Sequence, residues 1–173
     1  MNYQIEAIQV LLNEDCLLKR YHPLLPYKEQ LLKNLLQNRC LTKTDCMKLS
    51  DEALIASGLP DRETAGLFRC FLVLYDPKES KFREIEKCAT DEAEAASFRE
   101  LYLLPGVKAT RAKLYYDAGY RHLSQIASAT PEQLIRDTSE IIRQKGLAWK
   151  APLPKEVRTH IAVAKAFTVY AIK

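Results

Sequence analysis

The chain has 173 residues and a formal charge of +4, with 47% apolar residues, 28% charged residues and only five glycines. This balance excludes an intrinsically disordered chain. The longest strongly apolar piece, residues 71–75, is too short to span a membrane. Abundant Leu, Ala, Lys and Glu with so little glycine favour an all-α protein.

The first half of the chain predicts a series of helices with proline and glycine breaks. An apolar stripe predicts a first helix over 3–19, and the two prolines of 21–26 are expected to end it. Further helices are predicted over 27–37, from a Ser50 cap to Ser57, and over 61–75, with a short turn at 43–48. Residues 71–75 also have the composition of a strand, but no partner strand is predicted nearby.

The second half begins after a polar, turn-like stretch at 76–81. Thr90 is predicted to cap a helix that runs to Tyr102, and a hairpin at 103–127 follows it. Thr130, with proline after it and Gln133 three residues on, predicts a capping box for a helix that stops at Gly146. A last helix is predicted over 155–171. We expect roughly ten helices in two bundles, at 1–76 and 90–173, with a connector at 77–89.

The two halves resemble each other, which predicts an internal duplication. Leu24-Leu25-Pro26 matches Leu103-Leu104-Pro105 at an offset of 79, and the order of predicted elements after each match is the same. In this alignment Gly106 pairs with Tyr27 and Gly119 with Cys40. The first copy is therefore expected to have lost the glycines of the second.

The turn Leu104-Pro105-Gly106-Val107, followed by a helix that Gly119 ends, resembles the hairpin of helix-hairpin-helix proteins. The run from Leu104 to about Lys165 is also similar to a bacterial and archaeal domain-of-unknown-function family with tandem helix-hairpin-helix motifs. The sequence segments that carry this similarity are Asp-Ala-Gly-Tyr (117–120), Ala-Thr-Pro-Glu-Gln-Leu (129–134) and Leu-Pro-Lys-Glu-Val (153–157). The resemblance implies two SAM-domain-like helical bundles.

The resemblance also implies a site. In such hairpins the backbone N–H groups at the start of the second helix bind a DNA phosphate, helped by nearby basic side chains. Carried onto this chain, Gly106, Val107 and Lys108 supply the backbone contacts. Arg111 and Lys113 are the candidate phosphate partners. The chain departs from the motif at Lys108, which stands where the second glycine belongs.

Charge and composition leave two functions open. Residues 105–173 carry 12 Lys/Arg against 5 Asp/Glu, whereas residues 1–104 carry 14 against 17. The basic half favours sequence-independent binding of double-stranded DNA through its phosphates, by the hairpin at 104–113. The alternative is a protein-interaction or scaffold module whose partner docks near Trp149. Tyrosines 102, 115, 116 and 120 are interpreted as packing residues rather than as platforms for bases.

No pattern in the chain indicates catalysis. The three histidines are far apart, the glycines form no nucleotide-binding loop, and no metal-ligand spacing occurs. We therefore expect no enzyme activity, no cofactor and no metal, with His122 and His160 on partly exposed helix faces. The five cysteines are interpreted as buried reduced thiols, Cys70 among them. No signal peptide or membrane span is predicted, so a cytoplasmic location is expected.

Overall fold

The computed structural model describes residues 2–76 and 79–172, without the side chains of Glu79 and Phe82. In this part of the chain the secondary structure is helical, and the only β contacts are isolated bridges such as Tyr3 with Ala171. The prediction of an all-α protein of about ten helices is confirmed. The α-helices of the described residues are α1 (Ile5–Leu11), α2 (Lys28–Gln37), α3 (Lys43–Lys48), α4 (Asp51–Ala56), α5 (Arg62–Leu72), α6 (Glu79–Cys88), α7 (Glu92–Leu101), α8 (Ala109–Asp117), α9 (Leu123–Ser128), α10 (Pro131–Lys145) and α11 (Pro154–Val169).

The helices form two compact units. Residues up to Leu74, together with those from Val169 onward, make unit 1, and Tyr75–Thr168 make unit 2. In unit 1, α5 packs on a 3-10 helix, Lys19–Tyr27, and on α3 and α4. In unit 2, α8 packs on α6, α7 and α10. Each unit buries its own apolar side chains, as the burial of Phe68 in unit 1 and Phe98 in unit 2 illustrates.

The prediction of one helix over 3–19 is wrong, because α1 ends at Leu11. The Asn13 side chain accepts a hydrogen bond from the Asp15 amide at 3.0 Å, a local bond that competes with helix continuation. The stretch 21–26 is not a simple break either, since it lies inside the 3-10 helix with Pro23 and Pro26. Proline fits there because its fixed φ lies in the 3-10 range.

The predicted connector at 77–89 contains helix α6, which packs on α7 and α8. Pro77 and Lys78, at its start, lie outside the described residues. The predicted turn at 43–48 is helix α3. The cap of α7 is Asp91 rather than Thr90, because the Asp91 carboxylate accepts from the Glu94 amide at 2.8 Å.

Most of the local helix signals are found where the sequence places them. Ser50 caps α4, and Thr130 forms a capping box with Gln133 at the start of α10. Gly146 ends α10 in the left-handed conformation, at φ +59°. These signals act between residues close in sequence, so they can be predicted from the sequence alone.

The ends of α2 and α8 are built alike. The same three backbone hydrogen bonds close both helices, two at 3.0 Å and one at 2.9 Å in each. Gly119 has φ +92° at the end of α8, and Arg39 has φ +57° at the same position after α2. The alignment that paired Gly119 with Cys40 is therefore off by one residue, and Arg39 is the structural equivalent. The duplication itself stays a prediction.

Candidate nucleic-acid interface

The turn between α7 and α8 is anchored by two buried apolar residues. Leu104 and Val107 are at most 1% exposed, and the Val107 amide donates to the Leu104 carbonyl at 3.3 Å. Between them Gly106 is exposed, with φ +73°, and a Cβ built there would find no atom within 4 Å. The glycine is thus required by backbone conformation and leaves open space in front of the loop.

Helix α8 begins without a side-chain cap. Lys108 occupies the cap position in an extended conformation, and its side chain accepts no hydrogen bond from the helix. The amides of Ala109, Thr110 and Arg111 have no acceptor among the residues that the structure describes. These open N–H groups and the helix dipole create a partial positive charge at the start of α8.

Lys108, predicted to supply a backbone contact, and Arg111, a predicted phosphate partner, lie in different surroundings. Lys108 is exposed and makes no ion pair within the described ranges. Arg111 is bound by Glu156 on α11, with Nε–Oε1 and Nη2–Oε2 distances of 2.8 and 3.3 Å, and it also donates to the Lys150 carbonyl at 3.0 Å. The Arg111 guanidinium therefore joins two helices of unit 2.

Lys113 is also engaged within unit 2. Its Nζ lies 2.5 Å from Glu94 Oε1 on α7 and 3.4 Å from Asp117 Oδ1. The Glu94 carboxylate is buried and also accepts from the amide and hydroxyl of Thr90, each at 2.7 Å. Burial alone raises the pKa of Glu94, but these hydrogen bonds and the Lys113 charge lower it to about 2. The Glu94 bond in turn raises the pKa of Lys113.

A cavity of about 280 Å³ lies beside the turn. It brings Gly106, Val107 and Lys108 together with the first turns of α6. On its wall, Lys81 Nζ donates to the Tyr102 carbonyl at 2.6 Å. The lining residues are Ser80, Lys81, Glu84, Tyr102, Gly106, Val107 and Lys108. The contribution of α6 to this site was not predicted, because residues 77–89 were interpreted as a connector.

His160 also contacts the turn, and the sequence analysis did not predict this contact. It was expected on a partly exposed face, but it is 1% exposed. Its Nε2 lies 2.8 Å from the Pro105 carbonyl and its Nδ1 lies 2.7 Å from the Tyr115 hydroxyl. Burial lowers the pKa of His160. The spacing could have shown this, since His160 is three residues after Val157 on the apolar face of α11.

The four tyrosines predicted to serve packing differ in their burial. Tyr102 and Tyr115 are buried. Tyr120 is half-buried and donates to Asp137 Oδ2 at 2.7 Å. Tyr116 lies between two cations, with Arg121 at 4.8 Å from its ring centroid and Lys113 at 5.4 Å.

The corresponding turn of unit 1 has a different construction. Counting back from the shared helix end, Pro26 takes the place of Gly106 and Lys28 that of Lys108. This turn belongs to the 3-10 helix, and Lys28 is half-buried. Unit 1 has no glycine at this turn.

Three further findings concern predicted features away from the hairpin. Among the described residues, no group of three or more His, Cys, Asp or Glu side chains could hold a metal ion. No helix in the same ranges is long and apolar enough to cross a bilayer. Trp149 lies half-buried in the loop between α10 and α11.

Comparison with known proteins gives one partial similarity. A segment of 61 residues, 35% of this chain, is 34% identical to the ATP-dependent DNA helicase Hel308 of Thermoplasma acidophilum. The match spans 9% of the helicase, so it concerns a small part of that protein. No protein-family model matches the chain, and no solved structure shows a significant match.

Proposed function

We propose that this protein binds double-stranded DNA through its phosphates, without catalysis and without sequence preference, using the hairpin at 104–113 as a helix-hairpin-helix element. The observation that carries the proposal is the open start of α8, where Gly106 leaves room for close approach and three amides have no acceptor within the described residues. Phosphate oxygens are suitable acceptors for such groups.

Charge at the same position supports the proposal. Lys108 is exposed beside these amides, and residues 105–173 carry the excess positive charge of the chain. The partial similarity to a DNA helicase is compatible with a nucleic-acid-binding segment. Because Arg111 and Lys113 are engaged by carboxylates, Lys108 is proposed as the main side-chain contact.

With so few phosphate contacts, the affinity should be low and strongly salt-dependent. A dissociation constant on the order of micromolar or weaker is expected, as for non-specific binders. Fluorescence anisotropy with a labelled duplex, at low and at physiological salt, measures it. The proposal predicts binding at low salt that weakens as salt is added.

The variant Lys108→Glu tests the site, and Lys28→Glu is its matched control. Lys28 lies at the start of α2 in unit 1, and its substitution changes the net charge equally. Lys108→Glu should weaken binding and reduce the slope of log K against log salt by about 1. Lys28→Glu should change little. Absence of binding at low salt, or equal losses in the two variants, contradicts the proposal.

A protein-interaction role is the second candidate, and exposed apolar side chains favour it. Leu153, in the same loop as Trp149, is 69% exposed. A partner docked there would bury apolar surface, so its binding should persist at high salt. Retention of partners on the immobilised protein at high salt, combined with no affinity for duplex DNA, would favour this role over the first.

A further inference from the structure

A directed chain of hydrogen bonds runs from α8 through α11 to the turn. The Pro105 carbonyl can only accept, so His160 Nε2 must donate to it across 2.8 Å. In the neutral ring Nδ1 then lacks a proton and accepts from the Tyr115 hydroxyl across 2.7 Å. The Pro105 carbonyl thus selects the tautomer of His160, and Tyr115 donates to the ring nitrogen that this tautomer leaves without a proton.

This hydrogen bond fixes the direction of the next amide. The described chain contains no cis peptide bond, and in a planar trans peptide the C=O and N–H groups point in opposite directions. Because the Pro105 carbonyl points at a buried imidazole, the Gly106 N–H points away from that imidazole, and Gly106 is an exposed residue. That N–H has no acceptor among the described residues.

We propose that His160 is a positioning residue that orients the Pro105–Gly106 peptide so that the Gly106 N–H faces an incoming phosphate. The inference rests on the proposed function, since it assigns a role to His160 in the same site. His160 itself does not contact the DNA. It acts through the peptide that it holds.

The hydrogen bond from His160 to the Pro105 carbonyl has a second effect on the Pro105–Gly106 peptide. A donor on a carbonyl oxygen polarises the amide, so the N–H at its other end becomes a better donor. Tyr115 strengthens this effect because its hydroxyl donates into the same ring. The Arg111–Glu156 ion pair, which also joins α8 to α11, keeps these helices together around the chain of bonds.

Three variants separate positioning from stability. His160→Leu removes the donor, whereas His160→Gln keeps an amide Nε2 that can donate to the Pro105 carbonyl. Val157→Ala, at a buried position one turn earlier on α11, weakens packing without removing the bond. All are compared in the full-length protein, well below their unfolding temperatures, by circular dichroism and by duplex anisotropy.

His160→Leu should weaken duplex binding about tenfold, equivalent to the loss of one good hydrogen bond. His160→Gln should restore most of the affinity, and Val157→Ala should leave it within about twofold. Equal weakening by His160→Leu and Val157→Ala, or no restoration by glutamine, would overturn the inference. These two results would mean that His160 is only a packing residue.

A measurement without DNA keeps the inference distinct from the proposed function. Nitrogen-15 NMR of the wild type should show the His160 ring protonated at Nε2 alone, and the Gly106 amide signal should shift in His160→Leu but return toward its original position in His160→Gln. If the wild type binds no duplex, the proposed function fails whatever these spectra show. If the Gly106 signal does not respond to either substitution, the positioning role fails even though DNA binding is intact.

Discussion

Arg111 and Glu156 bind each other through two nitrogen–oxygen contacts, and both side chains are largely shielded, at 19% and 31% exposure. Arg111 is the third residue of α8, and Glu156 is the third residue of α11. The pair therefore holds the start of α8 against the start of α11. Few N–H groups of Arg111 remain free to donate to a phosphate. Arg111, which the sequence predicts to contact a DNA phosphate, joins α8 to α11 in this structure.

Breaking this pair should cost stability. Arg111→Ala leaves a partly buried carboxylate without its partner and should lower the free energy of unfolding by about 2 kcal/mol. Urea denaturation measures the change. Arg158→Ala, at an exposed position of the same helix α11, is the matched control and should change stability by less than about 0.5 kcal/mol. Equal effects would show that the ion pair contributes nothing specific.

Substitutions at the left-handed residues that follow α2 and α8, Arg39 and Gly119, should change the stability of the protein in opposite directions. Arg39→Gly removes the cost of a left-handed conformation in a residue with a Cβ and should stabilise the protein by about 0.5–1 kcal/mol. Gly119→Ala introduces that cost and should destabilise by about 1 kcal/mol, although no atom lies within 4 Å of the new Cβ. Thermal unfolding of both variants tests the pair. A loss of stability in Arg39→Gly would contradict the conformational argument.

Acid should destabilise unit 2 through Glu94. The pKa of Glu94 in the folded protein is lowered to about 2, below the ordinary glutamate value of 4.5. Its contribution is therefore complete above about pH 4.5 and is lost as the pH falls toward 2, by on the order of 3 kcal/mol. Urea titrations at pH 6 and pH 3 of the wild type and Glu94→Gln test this.

Glu94→Gln should reduce the pH dependence in that window, because glutamine does not titrate. Glu132→Gln, an exposed glutamate of the first turn of α10, is the control and should retain the wild-type dependence. An unchanged pH dependence in Glu94→Gln would show that other carboxylates dominate acid unfolding.

The cysteines should react in order of their exposure. Cys70 is exposed, contrary to the expectation of a buried thiol, and it should react first with a thiol reagent at neutral pH. Burial, with smaller contributions from Cys40 and Asp45, raises the pKa of Cys46 to about 12, so Cys46 should react only after unfolding. A colorimetric thiol count before and after denaturant checks this. Cys70→Ser should remove the fast phase, and a persistent fast phase would contradict the assignment.

What the sequence could predict depended on distance along the chain. Helix caps and stops such as Ser50, Thr130 and Gly119 involve neighbours a few residues away, and they were found. The end of α1 depends on one local side-chain bond of Asn13 that competes with helix propensity, and it was missed. Helix α6 was missed because its polar sequence predicts a loop when its packing on α7 is unknown.

The same difference between local and long-range contacts determines which features of the candidate site could be predicted. The sequence could place Gly106 in a turn and Lys108 just before α8, because these positions depend on neighbouring residues. The partners of Lys113 and Arg111 lie 19 and 45 residues away, at Glu94 and Glu156, and no local pattern shows such pairs. His160 lies 55 residues from the carbonyl it holds, so its role emerges only from the folded structure.

Trp149 has a practical consequence. It is the only tryptophan of the chain, and it lies half-buried within unit 2, next to the residue whose carbonyl accepts from Arg111. Its indole emission therefore reports on unit 2, whereas far-ultraviolet circular dichroism reports on the helices of both units. Recording both signals in one denaturation shows whether the units melt as one cooperative body or in succession, with no label attached.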